Sequence, residues 1–188
     1  KIMSHTLIQK YNVLGPRYTS YPTVPFWKNS NLNQEEWIDT IHLNYKKFGS
    51  NEISVYIHLP FCESLCTFCG CHKRITKNHA VESPYIDAVI AEWRLYLSKL
   101  DFIPVIRELH LGGGTPTFFS PSELQRLVST LISLASVHPT AYEFSFEAHP
   151  NNTTDAHLEV LFGLGFKRLS LGIQDYSPTV QQAIHRIQ

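Results

Sequence analysis

The sequence has no long apolar run, no net charge and no cysteine outside one short stretch. Its 188 residues include 16 basic and 16 acidic side chains, and no basic run stands out. This balance argues against a binding surface for nucleic acid or for an acidic membrane. No segment approaches the roughly 20 apolar residues that a membrane-spanning helix needs. A hydrophobic content of 43% and a charged content of 17% are typical of a globular chain.

No signal-peptide pattern, internal repeat or low-complexity segment is visible either. Together with four free thiols, the absence of a secretory signal predicts a reducing, cytoplasmic location. The chain begins with Lys1 and stops at Gln188 without a terminating signal, so we expect a piece of a longer protein.

All four cysteines, Cys62, Cys66, Cys69 and Cys71, lie within ten residues. Free cysteine usually behaves as a buried apolar residue and has no reason to crowd one loop, so this cluster predicts redox chemistry or metal binding. Disulfides fit poorly without an oxidising compartment. Structural zinc is the main alternative, although zinc sites usually join two ligand pairs from separated stretches. Three thiolates spaced C-x3-C-x2-C can instead bind three irons of a 4Fe-4S cube and leave the fourth iron open.

Beyond residue 50 the pattern alternates between strand and helix. Strands are predicted at 53–58, 107–111, 142–148 and 167–173, with helices between them. We expect Ser83 to cap the first of these helices, and Ser120 to form a capping box with Glu123 at the start of the second. Such alternation indicates parallel strands joined by helical crossovers. We expect residues 1–50 to form an N-terminal extension with one helix capped by Asn33, and residues 51–188 to form the main domain.

The predicted strands carry apolar residues on one face and polar residues on the other. In the first strand Ser54, Tyr56 and His58 share a face, and His110 lies on the matching face of the second. A closed barrel packs its interior with branched apolar residues, so a polar interior favours a wider, open barrel around a polar ligand. An antiparallel sheet with one wet face is the alternative, which the intervening helices disfavour.

Two features follow predicted strands directly. Gly112, Gly113 and Gly114 expose backbone groups to close approach, but no Lys-Ser/Thr follows them, which excludes a phosphate-binding P-loop. A plain tight turn remains an equal interpretation of these glycines. Glu147 ends the third strand, where parallel sheets bind ligands, and Gln174 is predicted to end the fourth strand on the same face. A solvated strand-end carboxylate is the alternative for Glu147.

The cysteine spacing, with Phe68 just before the third cysteine, resembles the signature of the radical S-adenosylmethionine (SAM) superfamily. The fourth cysteine and the preceding stretch 56–61 are similar to the oxygen-independent coproporphyrinogen III oxidase family. Further stretches match that family in the same order, from about residue 9 to the end of the chain: 18–23, 112–117, 146–147, 172–175 and 186–188.

This resemblance implies an α/β fold, the open (β/α)6 partial barrel of radical SAM enzymes. About four of its strands are present, as in an N-terminal part whose remainder is missing. It also implies a 4Fe-4S cluster held by Cys62, Cys66 and Cys69, with SAM on the open iron. In the family the cysteine matching Cys71 is not a ligand, and a small buried thiol and a functional one both stay open for it. The positions that match SAM-binding positions are Tyr56, Phe68, Gly113, Gly114, Thr115, Glu147, Gln174 and Arg186.

The implied activity is oxidative decarboxylation of two propionates of coproporphyrinogen III to vinyl groups, which gives protoporphyrinogen IX for haem synthesis. The implied partners are this tetrapyrrole and an electron donor for the cluster, with no nucleic acid. A haem-trafficking or haem-degrading relative on the same fold is the nearest alternative, and a non-catalytic zinc module is another. Cys71 and the stretch 18–23 favour the oxidase. Because the barrel is incomplete, we expect the isolated piece to be inactive.

Overall fold

A computed structural model describes residues 5–13, 23, 26–27 and 33–188 of the chain. Contacts divide the chain into two units, Lys1–Trp37 and Ile38–Gln188. The predicted boundary at residue 50 stays a prediction. Apart from residue 23, the family-matched stretch 18–23 lies outside the described residues. In the first unit the structure describes a short helix, α1 (His5–Tyr11).

The second helix, α2 (Gln34–Phe48), has the predicted capping pair at its start. The Asn33 side-chain oxygen accepts the Glu36 backbone N–H at 2.9 Å, which satisfies one of the unpaired donors of the first turn. The helix ends before Gly49, whose φ of 62° is the left-handed conformation that glycine adopts without steric cost.

The remaining elements alternate along the chain. The strands are β1 (Glu52–Leu59), β2 (Phe61–Cys62), β3 (Arg74–Ile75), β4 (Val105–Gly113), β5 (Ser136–Val137), β6 (Glu143–Ala148) and β7 (Phe166–Leu171). The helices are α3 (Glu82–Lys99), α4 (Pro121–Ser133), α5 (Asp155–Gly163) and α6 (Pro178–Ala183).

Strands β1, β4, β6 and β7 form one parallel sheet in that order. Short β5, which the sequence did not predict, pairs in parallel with the start of β4. The four predicted strands and their parallel pairing are therefore confirmed, and the antiparallel alternative is wrong. The carboxyl ends of β1, β4 and β6 consequently meet at one edge of the sheet.

The hydrophobic core lies between one face of this sheet and helices α3, α4 and α5. Alternate residues of β1, β4 and β6 are buried or partly buried on that face, as the sequence predicted. They pack against the apolar stripes of the helices, and each fully buried side chain contributes about 1.5–3 kcal/mol. Core residues include Ile57, Leu109, Leu111, Phe144, Phe146, Ile86, Ile90, Leu124, Leu127 and Leu161.

Two details of the predicted helix starts differ from the structure. Ser83 does not cap α3, because a 3-10 turn at His79–Val81 leads directly into the helix, which begins at Glu82. At Ser120 the predicted capping box is only half formed. Its hydroxyl accepts the Glu123 N–H at 3.4 Å, but its own N–H donates to buried Glu82 at 2.7 Å.

The last strand is only partly covered. On β7, Phe166 is buried, but Leu169 and Leu171 are 44% and 41% exposed on the face predicted to be apolar. The predicted alternation of burial is therefore absent from β7, whose residues beyond Phe166 are all exposed. Among the described strands, β7 also has a neighbour, β6, on one side only. In the part of the chain that the structure describes, no helix is long and apolar enough to cross a membrane.

Candidate active site

The four cysteines lie on a loop that β2 and β3 close at its base. The Arg74 N–H donates to the Pro60 carbonyl at 2.8 Å, and the Thr76 N–H donates to the Cys62 carbonyl at 2.9 Å. These two bonds form a neck that directly follows β1. The neck places the loop at the carboxyl edge of the sheet, where parallel α/β folds bind ligands.

Inside the loop, backbone carbonyls are satisfied locally. The Cys69 N–H donates to the Cys66 carbonyl at 3.1 Å, which forms a turn. The Lys73 ammonium donates to the carbonyls of Cys69 and Cys71 at 3.0 and 3.3 Å. Hydrogen bonds within the loop therefore help to fix its backbone.

Three of the four thiols face one cavity. Cys62, Cys66 and Cys69 line a cavity of about 180 Å³, whereas Cys71 is exposed and is not among its lining residues. This division follows the C-x3-C-x2-C triad. The residues that also line the cavity include Gly114, Thr115, His149, Asn151, Asn152 and Arg186.

The triad differs from a site for one ion. Among the described residues, no three His, Cys, Asp or Glu side chains are grouped as ligands of a single metal ion. In a 4Fe-4S cube each thiolate binds a different iron, so its ligands surround a cavity without converging on one point. Three thiols around one cavity, with the fourth outside, therefore fit a cube with one open iron.

The thiols lie in a mixed electrostatic environment. Burial raises the pKa of the Cys62 thiol, and a hydrogen bond with the Thr115 hydroxyl, at 3.4 Å, partly opposes the rise. Burial also raises the pKa of Cys71, with a further contribution from Cys69. Arg186 places a guanidinium nitrogen 3.5 Å from the Cys66 sulfur. The charge of Arg186 also acts against the raised pKa of the Cys62 thiol.

The glycine-rich loop passes directly beneath the neck. The Gly114 N–H donates to the Leu59 carbonyl at 2.9 Å. A Cβ on Gly114 would lie 2.6 Å from the Pro60 carbonyl oxygen and 2.9 Å from the Cys62 sulfur, so no larger residue fits. Gly113 has a φ of 120°, which is also accessible only to glycine at low cost. The glycine-rich loop therefore packs directly against the neck and Cys62, and it is more than a turn between two elements.

Glu147 ends β6 beside that loop. One carboxylate oxygen accepts the Gly113 N–H at 3.1 Å, and the other lies 3.6 Å from the His110 ring. The side chain is 46% exposed, so it is still open to a ligand. The strand-end carboxylate is therefore fixed to the glycine-rich loop and is not simply solvated.

Tyr56 lies on the polar face of β1. Its hydroxyl is 3.0 Å from the His58 ring, and its own ring stacks on that of His110 with centroids 5.7 Å apart. Burial, and next the charge of Glu147, raise the pKa of Tyr56. Tyr56 is 56% exposed and belongs to the polar face, which excludes the interpretation as a core aromatic.

Of the predicted SAM-binding residues, Gly114, Thr115 and Arg186 line the cavity, whereas five do not: Tyr56, Phe68, Gly113, Glu147 and Gln174. Phe68 is 51% exposed on the cysteine loop and lines no wall of the cavity. Gln174 does not end β7 as predicted, because that strand stops at Leu171. It lies in the following loop, exposed, with a φ of 23°. There the Gly172 N–H bonds back to the Ala148 carbonyl at 3.2 Å.

Arg186, in contrast, lines the cavity. It donates to the Gly172 carbonyl at 2.7 Å as well as approaching the Cys66 sulfur. Gly172 leaves the space for this contact, since a Cβ there would lie 2.8 Å from the guanidinium. The Thr67 N–H also donates to the Ile184 carbonyl at 3.1 Å. Hydrogen bonds therefore connect the segment after α6 with the cysteine loop.

Sequence reasoning missed His149 and Asn151, which follow β6 directly and line the cavity. The His149 Nδ1 accepts the Asn151 N–H at 3.2 Å. Burial, and next the Arg186 charge, lower the pKa of His149 to about 4, so this imidazole is neutral near pH 7. Their position just past the end of a central parallel strand was the signal that could have identified them.

Comparison with known proteins agrees with this geometry. A family model described as the radical SAM superfamily matches residues 56–188. The chain therefore belongs to the radical SAM superfamily, whose members use a 4Fe-4S cluster and S-adenosylmethionine. Within it, the chain is similar to oxygen-independent coproporphyrinogen III oxidases. The identity is 40% over 181 residues with that of Helicobacter pylori strain J99 and 37% over 185 residues with that of Pseudomonas aeruginosa.

These two matches cover 95% and 97% of this chain. Among solved structures, the coproporphyrinogen III oxidase of Escherichia coli, described as a radical SAM enzyme, matches with a TM-score of 0.82 and 30% identity. That match covers 97% of this chain and 39% of the other. The chain spans about two fifths, 39%, of the length of the curated relatives it matches. The predicted partial-barrel fold is confirmed by this likeness.

Proposed function

We propose that this chain is the cluster- and SAM-binding part of an oxygen-independent coproporphyrinogen III oxidase. The enzyme would convert two propionate side chains of coproporphyrinogen III to vinyl groups and yield protoporphyrinogen IX. The observation that carries the proposal is the cavity in which Cys62, Cys66 and Cys69 meet the glycine-rich loop and Arg186. Its support is the identity of 35–40% to relatives that bear this name, at 92–98% coverage of the chain.

In this proposal Cys62, Cys66 and Cys69 bind three irons of the cluster, and exposed Cys71 does not. Arg186 offsets the negative charge of the thiolates and ties the segment after α6 to the loop. Thr115 holds the Cys62 sulfur by its hydroxyl. When bound, the cluster and SAM supply a radical able to remove a hydrogen atom from a propionate.

The carboxyl ends of β4 and β6 would hold SAM. Gly113 and Gly114 let the cofactor approach the backbone, because neither position tolerates a side chain. Glu147 offers a half-exposed carboxylate that can accept hydrogen bonds from an ammonium or a ribose. Tyr56, Phe68 and Gln174 would complete the site at its periphery, where the structure leaves them exposed.

The polar face of the sheet would receive the tetrapyrrole. Each vinyl group formed requires loss of one hydrogen atom, one electron and one carbon dioxide from a propionate. The chain would therefore need an electron donor for the cluster and an acceptor for the substrate electron. We place this chemistry in the cytoplasm, where thiols stay reduced, and assign no nucleic-acid partner.

The test is anaerobic turnover. Protein reconstituted with iron and sulfide is mixed with coproporphyrinogen III, SAM and a low-potential reductant, and the tetrapyrroles are separated after oxidation to porphyrins. We expect stepwise loss of two carboxyl groups and cleavage of SAM. The measurement is made on the complete enzyme and on the 188 residues alone, for which we expect cluster and SAM binding without turnover.

The matched controls are Cys66→Ser, which should abolish SAM cleavage, and Cys71→Ser, which should keep the cluster. Cleavage of SAM with no change in coproporphyrinogen III would reject the substrate and retain the radical SAM chemistry. One zinc per chain with no iron after anaerobic purification would reject both.

A further inference from the structure

His110 is the central residue of the polar face of the sheet, and nothing above gives it a function. It lies on β4, between Tyr56 of β1 and Ser145 of β6. Its ring is parallel to within 17° of the Tyr56 ring. Its Nδ1 is 2.8 Å from the Ser145 hydroxyl, and its Nε2 is 3.6 Å from a carboxylate oxygen of Glu147. Three strands thus converge on one imidazole.

The partners of this imidazole decide which nitrogen carries the proton. A hydroxyl can donate or accept a hydrogen bond, whereas a carboxylate can only accept. Ser145 can therefore donate to Nδ1, which leaves the proton on Nε2 facing Glu147. If the ring is doubly protonated, Nε2 still donates. In both states the His110 ring presents an N–H to the carboxylate.

The ring has little freedom to leave this orientation. Besides the stack on Tyr56, it packs over Gly112, where a Cβ would lie 3.0 Å from its Nε2 and 2.9 Å from the Tyr56 ring. The glycine at position 112 is therefore needed to let both rings lie flat on the strand. The Tyr56 ring, Gly112 and Ser145 together hold the His110 ring in place.

The Glu147 carboxylate thus has a partner on each side. One oxygen accepts the Gly113 N–H at 3.1 Å, and the other faces the His110 ring at 3.6 Å. A glutamate side chain that is half exposed would otherwise sample many rotamers, and ordering them costs entropy. We propose that His110 is a positioning residue that fixes the Glu147 carboxylate for SAM. This inference rests on the proposed SAM-binding function of Glu147.

The first experiment needs no cofactor. In protein without the cluster, the amide proton of Gly113 reports on its bond to the Glu147 carboxylate, because charge-assisted hydrogen bonds are short and strong. We expect Glu147→Gln and His110→Phe both to shift this resonance upfield. Phe preserves the stack on Tyr56 and removes both ring nitrogens. His110→Gln retains a donor near the Nε2 position, so it should restore most of the wild-type shift.

The second experiment measures SAM affinity on reconstituted protein by calorimetry. His110→Phe should weaken binding about tenfold, the usual effect of removing a residue that orients a ligand. His110→Phe should add nothing in the Glu147→Gln background, because coupled residues are not additive. The matched control is His138→Phe, which removes another His–Glu pair of 3.6 Å, to Glu52 at the opposite end of the sheet. It should leave SAM affinity and the Gly113 amide unchanged.

The outcomes separate this inference from the proposed function. If Glu147→Gln weakens SAM binding but His110→Phe does not, the positioning function is wrong. Additive losses in the double variant also overturn it. If Glu147→Gln leaves SAM affinity intact, the SAM-binding function of Glu147 is wrong. The amide proton resonance of Gly113 is then the remaining test of whether His110 fixes the Glu147 carboxylate. An upfield shift of this resonance in His110→Phe supports that contact, and an unchanged resonance refutes it.

Discussion

The guanidinium of Arg186 lies 3.5 Å from the sulfur of Cys66, although 120 residues separate them in the sequence. The contact connects the segment after α6 with the cysteine loop, which follows β1. It places a permanent positive charge beside a thiolate predicted to bind iron. A cation so close to the cluster affects the energy of adding an electron to it.

We therefore expect Arg186→Gln to shift the reduction potential of the reconstituted cluster to a more negative value. The lost charge would have stabilised the reduced, more negative cluster. A redox titration followed by electron paramagnetic resonance measures the potential. The matched control is Arg126→Gln, which removes an arginine paired with Asp87 and Glu123 away from the cavity. An unchanged potential in Arg186→Gln would contradict the prediction.

The three cavity thiols should be distinguishable from the fourth by metal content. Replacing Cys62, Cys66 or Cys69 by Ser removes one ligand of the cube, so we expect loss of the broad absorption of the cluster near ~400 nm and of most of about four irons per chain. Cys71→Ser should retain both, since Cys71 is exposed and outside the cavity. Iron and sulfide analysis after anaerobic reconstitution measures the difference. Full clusters in all three variants would reject the ligand assignment.

Gly114→Ala should destabilise the fold and the site together. The new Cβ would lie 2.6 Å from the Pro60 carbonyl oxygen, which is backbone and cannot move aside easily. We expect a loss of about 1–3 kcal/mol in the free energy of unfolding, as for overpacked positions. Urea unfolding without the cluster measures it.

The control for that measurement is Gly70→Ala, in the cysteine loop itself. A Cβ at Gly70 would meet nothing within 4 Å, so the stability should be nearly unchanged. Equal stability of the two variants would mean that the glycine-rich loop can move away from the neck.

His149 should make the protein less stable in mild acid. Its pKa is lowered from 6.5 to about 4, by burial first and then by Arg186, while nearby Glu63 opposes the shift. Between these pH values the unfolded chain binds a proton more readily than the folded one. The free energy of unfolding therefore falls as pH falls from 6.5 to 4. Because His149 is half exposed, solvent screening limits the effect to about 1 kcal/mol.

Urea unfolding at several pH values, without the cluster, provides the test. His149→Asn keeps an acceptor for the Asn151 N–H but does not titrate, so its stability should depend less on pH. A pH dependence equal to that of the wild type would show that other groups cause the acid sensitivity.

The exposed leucines of β7 should promote self-association in a protein made of these 188 residues alone. Leu169 and Leu171 are 44% and 41% exposed, and among the strands that the structure describes, β7 pairs with β6 on one side only. Open strand edges recruit other chains. Sedimentation over a range of concentrations should show oligomers, which Leu169→Lys with Leu171→Lys should reduce. A monomer at all concentrations would contradict this prediction.

The sequence predicted the strands well because their alternation reflects one buried and one polar face. The period of the hydrophobic pattern indicates which residues are buried. The bounds of the observed strands differ from the predicted ones by at most two residues at each end. Short β5 was missed because two residues carry no detectable period. The start of α3 was misplaced at Ser83, because the 3-10 turn that precedes Glu82 has no strong local sequence signal.

Site prediction depended on the kind of signal available. The cysteine triad and Gly114, which line one cavity, could be selected from the sequence because their residue types and spacing are a local signal. His149 was missed because it lines the cavity with Arg186 only in the folded chain, where the end of β6 and the segment after α6 lie close together. The position of Gln174 was wrong for a related reason: the length of β7 depends on pairing with β6, which its own residues do not specify.

The neck between β2 and β3 has a consequence for damage by oxygen. In small zinc modules, loss of the metal unfolds the chain. Here the two ends of the cysteine loop are joined by protein hydrogen bonds, from Arg74 to Pro60 and from Thr76 to Cys62, which need no metal ligand. We therefore expect the loop to stay closed when oxygen destroys a bound cluster. Iron and sulfide could then be restored to the same polypeptide.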